Sequence, residues 1–349
     1  MEGKNLNQEI EIKKFDGSLD ELAYLFQTEY DHDKPLCKPS FLDWQYNGED
    51  GKAIIVAAYD KAKNNMLAAV YIINPIRIVL DEKVYKACLS LNTFTHKEYR
   101  GKGLFISLAN EAYQQAFDMG IRYIIGFPNE ASYGGFIKKL GFLDVGYLTN
   151  LIKPISYTKI LKNILGINSY SLSPIEKNYE NDLVFKKIEN IQDLSDNFLF
   201  QCHKSNKFYL FKSLKYITWR YIKHPLIQYQ IYGLYKQSVL VGYSIFSIKK
   251  VGRWNIGSIL ENGWVSENLA AFVLKGSLYV MNRSGAAIAN TFVTLNTNLA
   301  ICYKEHGFIV RNKIDKNAKP VVFIIKDIME NTTLSIQDCL LFPGDTDVF

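Results

Sequence analysis

The sequence predicts an α/β (α+β) protein of two related halves, each a mixed, mostly antiparallel twisted sheet flanked by helices. The length of 349 residues is enough for about two domains of roughly 150 residues each. Runs of β-branched and aromatic residues alternate with amphipathic stretches of helical period. The order of these runs in residues 9–142 recurs in residues 183–308.

In the first half, strands are predicted where β-branched and aromatic residues cluster, and helices are predicted where apolar residues recur every three or four positions. Ser18 is a suitable N-cap for the first helix, and Gly120 and Gly141 stand where helices commonly end. The predicted elements are a strand at 9–15, a helix at 19–29, strands at 53–59, 66–80 and 84–94, a helix from 104 to 120, a strand at 123–127 and a helix at 130–140.

The same succession of elements is predicted in the second half. They are a strand at 183–188, helices through 221, strands at 229–235, 240–249 and 255–264, a helix at 269–282, a strand at 289–295 and a helix ending at 307. Two short matches support a duplication: residues 41–46, around Trp44, recur at 216–221, around Trp219, and residues 136–142 recur at 302–308. Both tryptophans are predicted to pack a helix on a sheet.

The domain boundary is predicted in residues 155–180, which are rich in Ser, Asn and Lys. This gives a first domain at 1–155, a linker at 156–181 and a second domain at 182–349. A short apolar stripe at 160, 161, 164 and 165 indicates either a helix docked on a domain or a membrane-surface helix.

Composition excludes several classes of protein. Hydrophobic residues make up 48% and charged residues 22%, which fits neither a disordered chain nor a small disulfide-rich one. The net charge of +6 is spread along the chain, so no nucleic-acid partner is expected. Five separated cysteines indicate reduced thiols and no zinc site. With no signal peptide and no apolar run long enough for membrane insertion, we expect a cytoplasmic protein, whose oligomeric state the sequence leaves open.

The most informative motif lies in residues 95–104, between a strand and a strongly predicted helix. Gly101 and Gly103 allow a tight turn and leave the first amides of the helix uncovered. Such a loop is suited to an anion, because the helix dipole and the charges of Arg100 and Lys102 favour a phosphate. The spacing matches neither a Walker loop nor the dinucleotide fingerprint.

At this point the sequence resembles the GNAT superfamily of acyl-CoA-dependent N-acyltransferases. The resemblance rests on the loop from Glu98 to Gly103, the helix after it, the strand at 123–127, Asn129, and the Gly141-Phe142 pair that ends the next helix. It covers residues 85–145 well and the rest of the first half loosely. It implies acetyl-CoA or another acyl-CoA as co-substrate, and no metal.

The resemblance also implies which residues bind the cofactor. Main-chain groups near Phe94 and Thr95 would pair with the pantetheine. Asn129, Ser132 and Phe136 would line the thioester end. The pyrophosphate would be held by the loop and the first helical turn, namely Arg100, Gly101, Lys102, Gly103, Leu104 and Phe105.

Several departures from the family pattern limit the assignment of an acid and a base. Glu98 replaces the usual Arg or Gln, and Ile137 stands where the family often has a tyrosine that protonates the thiolate. The strand at 84–94 contains no carboxylate. The second half has lost the glycine loop at 264–268, so it is predicted to be a degenerate copy on the acceptor side, unlike the acyl-CoA-binding first domain.

Two residues are the candidates for the missing catalytic groups. Tyr133, one turn before Ile137, could reach the thioester end, or could pack or bind acceptor. Glu261 could be the base if the halves face each other, or could form an ion pair. His203 and His224 are predicted to be solvent-facing or capping residues. The C-terminal segment 344–349 could fold over the cleft or fray.

The sequence therefore predicts an N-acyltransferase that moves an acetyl or other acyl group to a primary amine on a small molecule. An amino-sugar nucleotide of surface-polysaccharide synthesis is the leading acceptor. Amino acids, polyamines, peptide amines and aminoacyl transfer are the alternatives within enzymes. A non-catalytic acyl-CoA sensor is the alternative from another class.

Overall fold

The computed structural model describes residues 9–164, 175–180, 182–295, 297–313, 319–330 and 332–346. Parts of the predicted linker, residues 165–174 and 181, lie outside the described residues, as do residues 347–349 of the C-terminal segment. The predicted fold class is confirmed, because helices flank a large mixed and mostly antiparallel sheet.

The first half contains eight of the described strands and five of the described helices. The strands are β1 (Ile10–Lys14), β2 (Asn47–Gly48), β3 (Gly51–Lys52), β4 (Ile54–Asp60), β5 (Met66–Leu80), β6 (Lys83–Thr95), β7 (Tyr123–Gly126) and β8 (Leu143–Pro154). The helices are α1 (Leu19–Gln27), α2 (Pro39–Tyr46), α3 (Leu104–Asp118), α4 (Glu130–Leu140) and α5 (Tyr157–Ile164).

The second half repeats this succession. Its described strands are β9 (Lys177–Asn178), β10 (Leu183–Lys187), β11 (Phe208–Leu210), β12 (Gln230–Lys236), β13 (Val239–Val251), β14 (Trp254–Trp264), β15 (Ile288–Val293), β16 (Ile309–Val310), β17 (Val321–Asp327) and β18 (Cys339–Leu340). Its described helices are α6 (Asp196–His203), α7 (Leu214–Ile217), which continues into the π-helical turn Thr218–Ile222, α8 (Ala270–Arg283) and α9 (Asn298–Glu305).

The two halves exchange strands. The sheet runs β1-β4-β5-β6-β7-β17-β8-β15-β14-β13-β12-β10-β9, and β16 pairs with β8. Strand β17, from the second half, therefore lies between β7 and β8 of the first. In the same way residues 149–154 of β8 pair with β15 of the second half, and Leu151 and Ile152 also pair with β16 on the other side. Each half of this sheet therefore contains a strand from the other half of the sequence. The domain boundaries at 155 and 182 remain a prediction.

The alternation of side chains along the central strands supplies both faces of the first-half core. Tyr71 and Ile73 face α3 and α4, whereas Val70 and Ile72 face α1 and α2. The predicted helix boundaries are explained by their caps: the Ser18 hydroxyl accepts from the Glu21 amide, 3.1 Å away. The first-half sheet is thus covered by helices on both faces.

Trp44 and Trp219 border the core clusters of their halves, as predicted, and also pack on each other, which was not predicted. Their rings are stacked with centroids 5.3 Å apart at an angle of 18°. Each indole Nε1 donates to the backbone carbonyl of the other tryptophan, at 2.8 and 2.9 Å. The repeated motif therefore forms a reciprocal contact between α2 and the turn after α7, which joins the two halves.

The stripe on α5 is only partly covered. Lys159 Nζ donates to Asn282 Oδ1 of α8 at 2.6 Å, which docks the helix on the second half. Leu161 and Ile164 remain exposed.

Candidate functional site

Strands β6 and β7 diverge at the centre of the first half. They pair in parallel only from Ala87 with Tyr123 to Ser90 with Gly126. Beyond this point β6 continues to Thr95, while the segment that follows β7 turns away at Phe127 toward α4. Residues 91–95 thus have β5 on one side and a wedge on the other, and ladder bonds to a neighbouring strand do not use the main-chain groups that face the wedge.

A bulge marks the start of the divergence. The register between β5 and β6 shifts between Val70 and Ile72, and Asn92 has a positive φ of 49°. This backbone region is sparsely populated by residues with side chains, and strain of this kind persists only where the surroundings hold it. Here the side-chain nitrogen of Asn92, Nδ2, donates to Gln45 Oε1 at 2.6 Å and to the Tyr46 hydroxyl at 2.9 Å. Helix α2 therefore fixes the main chain beside the wedge.

The loop between β6 and α3 presents free amides. Gly101 and Gly103 have φ of 77° and 79°, and a Cβ built on either would meet no atom within 4 Å. Helix α3 starts at Leu104 with no side-chain cap. Within the described chain, the amides of residues 101–105 have no hydrogen-bond acceptor. The loop is an open cradle of N–H groups at the positive end of a helix.

The loop is anchored from below by Tyr99. This side chain is buried, and its hydroxyl donates to Asp60 Oδ2 at 2.6 Å. That hydrogen bond lowers the pKa of Asp60, so the carboxylate is charged at neutral pH. The Lys102 ammonium lies 4.6 Å from the centre of the Tyr99 ring, on the exposed side of the loop.

Arg100 points away from the cradle. Its guanidinium pairs with the Glu29 carboxylate at the end of α1, and its Nε donates to the Thr95 carbonyl at 3.2 Å. The structure therefore brings Lys102 beside the free amides, whereas Arg100 would have to leave Glu29 to contact a phosphate.

The other predicted cofactor residues lie on the walls of the wedge. Asn129 caps α4, with its Oδ1 accepting from the Ser132 amide at 3.0 Å. Phe136 is buried against Phe105 of α3, with ring centroids 5.2 Å apart. A Cβ on Gly135 would lie 2.8 Å from Phe105, so α3 and α4 approach closely here. The Phe94 side chain packs against Phe26 of α1, which leaves only its main chain for the wedge.

Tyr133 is held by a carboxylate. Its hydroxyl donates to Asp144 Oδ2 at 2.5 Å, and this hydrogen bond raises the pKa of Tyr133. The side chain borders a cavity of about 700 Å³ between α4, β8 and the start of β17. The phenol is therefore protonated at neutral pH, as an acid must be, but it is engaged with Asp144.

A chain of buried hydroxyls below the wedge was not predicted. The Ser90 hydroxyl, at the last paired position of β6, donates to the Tyr71 hydroxyl at 3.1 Å, and Tyr71 shares a 2.5 Å hydrogen bond with Tyr113. Burial raises the pKa of both tyrosines. The sequence gives no signal for this group, because single hydroxyl residues in apolar strand and helix patterns look like core. Ile137 offers no proton in this region, since it packs against the same core.

Glu261 is fully buried and paired. Its carboxylate accepts from the hydroxyls of Tyr221 at 2.7 Å and Tyr243 at 2.6 Å, and the Lys212 ammonium lies 3.6 Å away. Of the two predicted roles, the structure places it in an ion pair. To act as a base, it would have to lose one of these partners.

Lys212 connects Glu261 to the C-terminal segment, where it also pairs with Asp345. Burial disfavours the ammonium, but the carboxylates of Asp345 and Glu261 outweigh it and raise the pKa of Lys212. Arg220 donates to the carbonyls of Gly344 at 3.2 Å and Thr346 at 3.3 Å. Residues 343–346 are therefore buried against the second half, and do not fray.

The second half has a matching divergence of strands. Strands β14 and β15 pair only at residues 256–258 with 288–290, and a bulge again interrupts the register beside Glu261. The helix start differs, because the amides of Leu269 and Ala270 already donate to Ser266 and Glu267. The chain itself enters this wedge: the Thr294 hydroxyl donates to the Cys339 carbonyl at 3.5 Å.

In the described ranges, no group of three His, Cys, Asp or Glu side chains is arranged to hold a metal ion. No helix of the described chain has the length and apolar character needed to cross a bilayer.

Comparison with known proteins identifies the first half. Residues 8–143 match the family model for the acetyltransferase (GNAT) domain. A comparison with curated protein sequences gives no significant match.

Solved structures share the fold across both halves. A GCN5-related N-acetyltransferase from Anabaena variabilis superimposes with a TM-score of 0.61 at 16% identity, over 91% of this chain and 73% of that one. Saccharomyces cerevisiae N-myristoyltransferase with bound myristoyl-CoA gives 0.60 at 10% identity, over 91% and 82%. An Enterococcus faecalis protein described as a probable N-acyltransferase gives 0.58 at 9% identity, over 91% and 72%. Residues 8–143 thus match an acetyltransferase (GNAT) domain, and the chain as a whole shares the fold of these structures.

Proposed function

We propose that this protein transfers an acyl group from acyl-CoA, bound in the first half, to a primary amine on a small molecule. The observation that carries the proposal is the open cradle of amides at residues 101–105 beside the wedge between β6 and β7. The cradle suits a pyrophosphate, and the free edge of residues 91–95 suits the amide-rich pantetheine arm.

The chemistry follows from this placement. An ammonium acceptor first loses a proton, and its nitrogen lone pair then attacks the thioester carbonyl carbon. The carbon–sulfur bond breaks, an amide forms, and the departing thiolate takes a proton. Main-chain amides at the bulge around Asn92 would polarise the carbonyl oxygen.

We assign Tyr133 as the proton donor to the departing thiolate. To donate, its hydroxyl has to leave the hydrogen bond with Asp144. Tyr133→Phe should then lower kcat with little change in KM for acyl-CoA, because the ring and its packing are retained. An unchanged kcat would leave the thiolate to be protonated by water. We make no assignment of the base, since Glu261 is enclosed by its partners.

We further propose acetyl-CoA as the donor and an amino-sugar nucleotide as the leading acceptor, in the cytoplasm. Amino acids, polyamines and peptide amines remain alternative acceptors. The second half would serve the acceptor side, because its helix start offers no free cradle and its wedge is entered by residues 339–342.

One observation favours a non-catalytic acyl-CoA sensor. Ile137 takes the position of the usual acid, and no carboxylate stands on β6. Thiol release from acetyl-CoA and longer acyl-CoA, measured with a panel of amines, decides between the two functions. We expect steady, amine-dependent release. Binding of acyl-CoA without release with any amine would favour the sensor.

A further inference from the structure

A second cavity, of about 420 Å³, lies in the wedge of the second half. Its volume is at the small end of the range of about 300–1,000 Å³ found for ligand sites, which fits a molecule of one or two rings. The floor is buried and the rim is open. The floor includes His203, Asn262 and Thr294, and exposed Glu267 and Gln337 lie on the rim.

Two buried polar atoms on the floor lack partners. They are His203 Nδ1 and Asn262 Oδ1, on side chains that are only 2% exposed. Leaving such atoms unpaired is costly, and a buried polar atom of this kind at a cavity calls for an explanation. Because two lie on one cavity floor, a shared ligand explains both.

The hydrogen-bond chain behind the cavity fixes the role of His203. The Tyr243 hydroxyl spends its only proton on Glu261 Oε1, at 2.6 Å. His203 Nε2, 3.0 Å from the same hydroxyl oxygen, must therefore be the donor in their contact. In the neutral ring this makes Nδ1 an acceptor. Burial lowers the pKa of His203 to about 4, in keeping with a neutral imidazole at physiological pH.

Asn262 offers a second acceptor. Its amide nitrogen donates to the Tyr303 hydroxyl at 2.8 Å, which leaves Oδ1 to accept. A ligand that satisfies both acceptors therefore has at least two O–H or N–H donors. Among the described residues that line the cavity there is no lysine or arginine, so a phosphate or a second coenzyme A is disfavoured.

The charge of the ligand follows from the same lining. Both acceptors are neutral, and the nearest buried carboxylate, Glu261, is already satisfied by two tyrosines and Lys212. An ammonium would find only the exposed Glu267 on the rim. Trp264 adds a half-exposed indole, whose face can cover the apolar face of a ring.

We propose that this cavity binds a neutral, hydroxyl-bearing ring of monosaccharide size, with hydroxyls donating to His203 Nδ1 and Asn262 Oδ1 and the ring against Trp264. The site goes beyond the proposed acyl transfer, because it requires neither acyl-CoA binding nor an amine on the sugar. His203 was predicted to be solvent-facing or capping. That prediction was wrong, because α6 turns the imidazole inward onto Tyr243.

Calorimetry on the full chain, saturated with coenzyme A, tests the proposal. Glucose, N-acetylglucosamine and glucosamine are titrated at millimolar concentrations and at about pH 9, where the glucosamine amine is mostly neutral, with putrescine as an amine without a ring. We expect the sugars to bind and putrescine not to bind. Failure of all three sugars, or binding of putrescine alone, would overturn the proposal. In a separate assay with acetyl-CoA in place of coenzyme A, thiol release by glucosamine would identify the sugar as the acceptor, whereas binding without release would place it beside the acceptor; both support the site.

Variants locate the binding. Asn262→Leu and His203→Phe should each weaken sugar binding about fivefold or more, the effect of losing one hydrogen bond. Trp264→Ala, on the open rim, should weaken it without disturbing the floor. His224→Phe is the matched control, because His224 is also buried but lies outside this cavity. A cooperative denaturant transition that includes the second half shows that each variant is folded. Equal sugar affinity in the folded floor and rim variants would contradict the assignment.

Discussion

Replacing Gly103 with alanine isolates the contribution of the amide cradle. With φ of 79° the residue lies in the left-handed region, where a side chain costs about 1–2 kcal/mol. No atom lies within 4 Å of the new Cβ, so steric repulsion inside the protein adds nothing. The methyl group would occupy the open space in front of the amides of residues 101–105, or the loop would relax and turn those amides away.

Either outcome weakens the hold on a pyrophosphate. A hydrogen bond to a charged group contributes about 1.5–3 kcal/mol. Loss of one such bond therefore raises the Kd for acetyl-CoA by roughly 10-fold to 150-fold.

Gly120→Ala is the matched control, at the opposite end of the same helix. Its φ is 73°, and its Cβ would also meet no atom within 4 Å. Both variants should lose a similar 1–2 kcal/mol of unfolding free energy, as denaturant titration would show. Only Gly103→Ala should lose affinity for acetyl-CoA in calorimetry. Equal affinity in the two folded variants would refute the argument that the loop binds the cofactor.

Three further predictions concern the whole chain. Native mass spectrometry should find one coenzyme A per chain, since only the first half offers free amides at a helix start; two specifically bound molecules would contradict this. Trp44→Ala should lower the unfolding free energy by about 2–3 kcal/mol. Adding Trp219→Ala should lower it by much less than a second such amount, because the two rings share one contact. Fully additive losses in denaturant titrations would argue against the pair. Burial lowers the pKa of His203 and His224 to about 4, so between pH 6.5 and 5 the unfolded chain takes up protons that the folded chain does not. As the pH falls, stability should then fall by about 1 kcal/mol per pH unit for each histidine, seen as a falling Tm, and a flat Tm over this range would contradict their burial.

The local elements of this fold could be predicted from the sequence because each carries its own signal. The glycines at 101, 103 and 120 bracket an apolar face of helical period, and the structure has helix α3 between them. Strands β5 and β6 were predicted within a few residues, since their turn is polar and their cores are β-branched.

The strand exchange could not be predicted. Residues 143–154 and 321–327 carry no strand prediction, and their partners lie in opposite halves of the chain. Pairing over such distances in sequence depends on how whole sheets meet, which a local pattern does not encode. The same limit applies to Trp44 and Trp219: their repetition was visible, but their contact depends on how the halves are arranged.

The candidate site could be predicted only where an unusual backbone conformation favours particular residues. Gly101 and Gly103 are recognisable because their conformation excludes other residues. Side-chain partnerships were not: Arg100 turns to Glu29, and Glu261 is enclosed by Tyr221, Tyr243 and Lys212. Neither partnership leaves a trace in residue spacing.

Hydrogen exchange with and without acetyl-CoA tests most directly whether the first half alone holds the cofactor. The amides of residues 101–105 have no acceptor in the described chain, so they should exchange rapidly in the free protein and slow when a pyrophosphate accepts from them. Protection should extend to residues 91–95 along the wedge, and should be absent at 264–270, the matching helix start of the second half. Protection at 264–270 without protection at 101–105 would contradict the account.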